Sequence, residues 1–179
     1  MDEITRIRKV SIWIFVLPLL AINLCLFITI NYSLFDNTIF RVSEAGRASF
    51  TIPYFDGGLS ISRTARTYPA YLIFKPSMII TAVLLIKYWI ENNKLINKIN
   101  NVTQKNHLFL TFGVISALFL ITHSIFLGIS FDNDLYKFFR RFVILAFIIF
   151  EITAQALLVK SIFKIKNKLL EITNQKILF

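Results

Sequence analysis

The feature that most constrains this chain is residues 10–30, an apolar run without a charged side chain, preceded by Arg6, Arg8 and Lys9. A helix of that length is about 30 Å long, the thickness of a bilayer's hydrocarbon core. The run exceeds the roughly 7–15 residues of a signal-peptide core. No small-x-small cleavage site follows it at Asn31, Tyr32 and Ser33, so it reads as an uncleaved first span. Pro18 frees the carbonyl of Ile14 and predicts a bend, and Asn23 needs a hydrogen-bond partner that hydrocarbon does not supply.

Three further runs repeat the pattern, at about residues 71–90, 108–131 and 142–159. The second lies between Lys75 and Lys87 and spans only if both ammonium groups snorkel to the interfaces, where Tyr88 and Trp89 suit an aromatic belt. With 56% hydrophobic residues, nineteen Phe and a mean hydropathy of +0.65, the 179 residues exclude an ordinary soluble domain and read as one membrane domain. The net charge of +10 would suggest nucleic acid in a soluble protein. Here many of the cations flank apolar runs, where they meet phosphate head groups, so membrane lipids are the expected partners and nucleic acid is not. Cys25, the single cysteine, excludes an intramolecular disulfide and a cysteine-based metal site. With no nucleotide loop, zinc signature or nucleophile elbow in the sequence, no cofactor and no metal are expected, and no reaction can be named.

The expected fold is therefore all-α and integral to the membrane: a four-helix transmembrane bundle with a structured outer loop at 32–70 between helices one and two. Residues 91–107 are expected to be a polar connection. Residues 160–179 place Ile162, Ile165, Leu169 and Ile172 at helical spacing opposite Lys160, Lys164 and Lys168, the pattern of an amphipathic helix on the membrane surface. With both termini cytoplasmic, twelve of the 20 Lys and Arg fall inside, which satisfies the positive-inside rule. The inner set is mostly Lys. The outer set (Arg41, Arg47, Arg63, Arg66, Lys75, Lys137, Arg140 and Arg141) is mostly Arg, whose planar fork suits bidentate phosphate or carboxylate contacts. The Ile, Asn, Lys and Phe bias fits an AT-rich, bacterial coding sequence, for which the membrane would be the inner one.

Two constellations could carry chemistry. In the outer loop, Arg63 and Arg66 lie three apart, on one side of a helical turn if 62–67 is helical, with Ser60, Ser62 and Thr64 as further donors and Asp56 in a turn with Gly57 and Gly58. They make a ligand site for a phosphate or carboxylate, or a set of salt bridges and head-group contacts that holds the loop together. The alternation of Phe50, Ile52 and Tyr54 with Leu59 and Ile61 about that turn fits a short hairpin, with short helix and coil as the other reading. Within the spans, His123, Glu151, Gln155 and Asn23 are the polar residues. Glu151 and Gln155 sit one turn apart, and His123 belongs to a small-residue face with Gly113, Ser116, Ala117, Leu120, Ser124 and Gly128. The depths of His123 and Glu151 differ by about a turn or less, so a contact is reachable. It would be a proton-linked or catalytic pair opening outward to the arginines, or a buried bond that fixes helix register.

The segment IPYFDGGLSISRTARTYPAYLIFKP, entering the second span, resembles the first outer loop of the membrane family that includes FGF-receptor-activating protein and the DRAM autophagy modulators. Pro53, Ile61, Ser62, Ala65, Pro69 and Phe74 carry the likeness. The resemblance implies lipid-associated roles, such as processing or distributing phospholipids and lipid anchors. Members of that family are expected to have more spans than the four found here.

The leading expectation is a lipid-binding or lipid-handling membrane protein using the arginine loop above a polar intramembrane seam. The alternatives are a non-catalytic subunit packed by its small-residue face against a larger membrane complex or a second copy of itself, and a proton-coupled carrier using Glu151.

Overall fold

The computed structural model describes residues 2–48, 61–100, 107–129 and 134–166. All regular structure among them is helical: α1 (Asp2–Ile30), α2 (Ile61–Thr64), α3 (Tyr71–Ile99), α4 (Leu108–Phe126) and α5 (Asp134–Lys164). Four of these, all but α2, are long and apolar enough to cross a membrane.

Three helices outrun the apolar stretches that announce them: α1, which begins at Asp2 ahead of the run 10–30, α3 and α5. α3 does not stop at Ile90 but continues as helix to Ile99, where a polar connection was expected. The polar side chains are accommodated there: Lys94 pairs with Glu91 at 3.1 Å, three residues back, and Lys98 reaches Glu3 of α1 at 2.9 Å. α5 starts at Asp134, eight residues before Phe142, with Asp134 in its first turn bonded to Lys137 at 3.0 Å. An acid at that position also complements the helix dipole. α5 then runs unbroken to Lys164, so the first residues of the expected surface helix continue the span, while 167–179 lie outside the described residues. α4 is shorter than expected, ending at Phe126 rather than 131, because Leu127 leaves helical geometry and Gly128 follows with φ +83°. Glycine adopts that left-handed conformation without the Cβ penalty of other residues. The expected hairpin falls mostly outside the described residues, and its last residue, Ile61, is in α2.

The long helices pack as sequence neighbours, α1 on α3, α3 on α4, and α4 on α5. Small residues bring the last three together. Ala82, Ala117 and Ala154, one from each helix, are fully buried in a common cluster around Trp89, Phe109 and Leu120. Trp89 lies flat on Gly113, where an added Cβ would stand 2.4 Å from three ring atoms. Bulky side chains such as Phe15, Leu20, Ile149, Ile152 and Phe163 point away from this core and stay exposed. That inversion suits a hydrocarbon solvent, in which close packing of small residues, not hydrophobic burial, draws helices together.

At the end holding the N-terminus, His107 docks α4 onto α3. Its backbone N–H donates to Asn93 Oδ1 and its Nε2 lies 3.1 Å from Asn97 Oδ1, with the ring stacked on Phe109. The opposite end carries the 32–70 loop. There Tyr68 donates to the Ile39 carbonyl at 2.7 Å, and Arg47 bonds Asp36 at 3.0 Å and the Val42 carbonyl while lying over the Tyr32 ring. Lys75 donates to the Ile125 carbonyl, fastening the start of α3 to the end of α4.

Candidate functional site

The short α2 and the turn after it deliver Arg63 and Arg66 to the loop end of the helices. α2 is anchored by Arg63 Nε donating to the Ala45 carbonyl at 3.1 Å. The peptide of Arg66 rests against Gly128, where a Cβ would approach the Arg66 carbonyl to 3.2 Å. From the other side, the first two turns of α5 bring in Lys137, Arg140 and Arg141. That helix end is held to α4 by Tyr136 Oη donating to the Phe126 carbonyl at 2.8 Å, and Arg140 lies over the Tyr136 ring.

Between these elements lies a cavity of about 770 Å³ lined by Arg66, His123, Lys137, Arg140 and Arg141 over an apolar floor that includes Phe74, Leu127 and Ile144. A smaller one, about 290 Å³, is lined by Arg63, Arg66, Thr67, Gly128 and Arg140, among others. Arg66 and Arg140 line both, so the two chambers share a guanidinium wall. No Asp or Glu is among the described residues lining either chamber. Burial, and after it the Arg140 guanidinium, press the Arg66 pKa below its ordinary value. Arg140 Nε and His123 Nδ1 are buried with no hydrogen-bond partner among the described residues. Polar atoms so placed are rare, and each calls for an explanation.

Glu151 belongs elsewhere. Its Oε2 lies 2.6 Å from Ser116 Oγ on α4, and its Oε1 accepts from Gln155 at 3.0 Å. Ser116 Oγ is also 2.8 Å from the Gly113 carbonyl. No hydrogen bond joins Glu151 to His123. Ser116 and His123 share a face of α4 but stand seven residues apart, about 10 Å along the axis. The expected single seam is therefore two sites: a neutral histidine or imidazolium among arginines at the loop end, and a carboxyl–hydroxyl clasp between α4 and α5 nearer mid-helix.

The remaining sequence candidates divide as follows. Thr64 is buried, its Oγ1 has no hydrogen-bond partner among the described residues, and it is not among the described residues lining either chamber. Ser62 falls within α2, and Asp56 lies outside the described residues. Asn23 is exposed on α1 and satisfies its amide locally, donating to the Leu19 carbonyl at 2.7 Å. Arg41 and Arg47 serve the loop through Asp36, as the structural reading of the outer charges anticipates. Lys137, Arg140 and Arg141 enter the sequence reading as members of the outer, mostly Arg set, not as named site residues. The signal that could have singled them out is the adjacent arginine pair leading into the fourth apolar run, at the same end as Arg63 and Arg66.

Among the described residues, no group of three His, Cys, Asp or Glu side chains is arranged to hold a metal ion. Pocket and cations instead make a place where a hydrated anion can exchange water for guanidinium donors beside apolar surface. No family model matches the chain, and no curated protein and no solved structure is similar to it.

Proposed function

We propose that this chain is a lipid-binding membrane protein that holds an anionic head group in the arginine-lined cavity at the loop end of its helices. The observation that carries the reading is the lining itself: four cationic side chains and a histidine above Phe74, Leu127 and Ile144 in a space of about 770 Å³. Cations over an apolar floor complement a molecule with a charged head and a hydrocarbon body. The volume lies in the usual range for a small-molecule site, roughly 300–1,000 Å³. The four long apolar helices support a multi-pass membrane location. The distribution of Lys and Arg favours cytoplasmic termini, which puts the cavity at the outer interface. The lipid-associated expectation from the loop resemblance agrees with this reading.

The test is native mass spectrometry of the full chain released from membranes. Anionic phospholipid stays bound to the wild type, and Arg66→Gln with Arg140→Gln lowers its retention at least about tenfold relative to zwitterionic lipid, with the melting temperature recorded in parallel. Equal retention by a folded double variant refutes the proposal. A stoichiometric protein partner that survives the same double substitution would instead support the partner-subunit role.

A further inference from the structure

Resting on the lipid-binding reading, we propose that His123 belongs to the head-group site and takes up a proton when an anionic lipid enters, so that binding is coupled to pH.

The lining of the larger chamber carries the inference. His123 reaches it from the last turn of α4, Arg66 from the turn after α2, and Lys137, Arg140 and Arg141 from the start of α5, while α3 contributes Phe74 and no titratable group to the described lining. The charges that act on the imidazole are those of Arg140 and then Arg66. Outside the lining stand Lys75, which donates to the Ile125 carbonyl, and Asp134, bonded to Lys137 at 3.0 Å. Lysine and arginine ordinarily titrate above about pH 10 and carboxylates below about pH 5, whereas imidazole titrates near pH 6.5. Between about pH 5.5 and 8, His123 is therefore the side chain of the described lining whose charge changes.

Its Nδ1 is buried with no hydrogen-bond partner among the described residues. A polar atom left in that state is costly, and a ligand oxygen can relieve it. Ionised phosphate oxygens only accept hydrogen bonds, so the ring nitrogen that meets one must carry a hydrogen. Imidazolium carries a hydrogen on both nitrogens, imidazole on one alone. The anion thus gains a charge-assisted bond from imidazolium and a neutral bond at best from imidazole. By linkage the proton and the anion each strengthen the other's hold, and the lipid binds more tightly as the pH falls through the imidazole titration.

His107 supplies an internal control. It is the other of the two histidines in the chain, and it stands at the opposite end of the helices with its Nε2 3.1 Å from Asn97 Oδ1.

The experiment uses the full chain in phosphatidylcholine nanodiscs titrated with phosphatidylglycerol, a phosphodiester whose charge is constant over the pH range used. In the wild type the affinity rises at least about fivefold from about pH 8 to about pH 5.5. In His123→Gln, which keeps a polar side chain but cannot take up a proton, it changes by less than about twofold over the same range. Wild-type protein with isotope-labelled histidine gives a second readout by NMR that needs no substitution in the lipid site. Phosphatidylglycerol moves the His123 titration midpoint upward by about 0.7 pH unit or more, the shift that a fivefold change in affinity requires, and leaves that of His107 in place. His107→Gln assigns the two resonances. A wild-type affinity that is flat with pH, an equal rise in a folded His123→Gln protein, or a His123 midpoint that the lipid leaves unmoved overturns the inference and leaves the lipid-binding reading standing. No phosphatidylglycerol binding above the phosphatidylcholine background at any pH overturns both.

Discussion

Gly113→Ala is the sharpest test of how the bundle is held. The new Cβ would stand 2.4 Å from Trp89 Cγ, Cδ1 and Cδ2, where carbon contacts ordinarily settle at about 3.5–4.0 Å. Something must move by about 1 Å. The ring has little freedom to do so, being fully buried and packed against Tyr88 and Phe109 at centroid distances of 5.1 and 6.2 Å. Overpacking of this kind costs about 1–3 kcal/mol, whereas replacing a mid-helix glycine by alanine gains roughly 0.5–1 kcal/mol where there is space. The overlap outweighs the helix gain, for a net loss of about 1–2 kcal/mol. For a chain of this size that corresponds to a fall of several degrees in the melting temperature, at roughly 2–4 °C per kcal/mol. Thermal unfolding in mild detergent measures it, with Trp89→Phe in the Gly113→Ala background recovering part of the loss because the smaller ring relieves the overlap. A Gly113→Ala protein that melts at or above the wild-type temperature would refute the packing argument.

Ser116→Ala takes away the hydroxyl that joins α4 to the Glu151 carboxyl and leaves that carboxyl short of a partner, at a cost of about 1–3 kcal/mol. Combined with Glu151→Leu the two effects are strongly non-additive in thermal unfolding, and simple additivity would contradict the clasp. Gly128→Ala forces a Cβ into a φ of +83° and toward the Arg66 carbonyl, for a strain of about 1–2 kcal/mol. Anionic-lipid retention should fall while helicity by circular dichroism stays near wild type; retention at the wild-type level would dissociate Gly128 from the placement of Arg66.

The helices were legible because hydrocarbon length is a strong constraint: runs of apolar residues near 10–30, 71–90, 108–131 and 142–159 each contain the middle of a long helix. Their ends were less so. Hydropathy reports which residues tolerate lipid, not where backbone hydrogen bonding stops, so it missed the polar turns from Glu91 to Ile99 and from Asp134 to Arg141. Those turns remain helical through i,i+3 pairs and a contact with Glu3. The small-residue face of α4 was readable from spacing, and Gly113, Ser116, Ala117, Leu120 and Ser124 are all buried. Glu151 with Gln155 was readable for the same reason, one turn of one helix.

The cavity was half legible. Arg63 and Arg66 stand out in a loop, but their companions on α5 are more than 70 residues away and look like ordinary flanking charges. Their meeting depends on how far α5 extends before it reaches the apolar core, and on Gly128 ending α4 early enough for the loop to close over His123. The proposed link between His123 and Glu151 failed for a related reason. Depth along two helices can be estimated from residue counts, whereas the partner that a side chain selects depends on rotation about each axis, and Ser116 lay closer to Glu151.

The central claim is that an anionic lipid occupies the arginine-lined cavity, and cross-linking in the native membrane tests it most directly. A photoreactive side chain is introduced either at Ile144, which lines the cavity, or at Leu145, its neighbour on the exposed face of α5. Lipid captured at Ile144 should be enriched in phosphate-bearing anionic species over the bulk membrane, while lipid captured at Leu145 should match the bulk. Identical lipid profiles at the two positions would contradict the account.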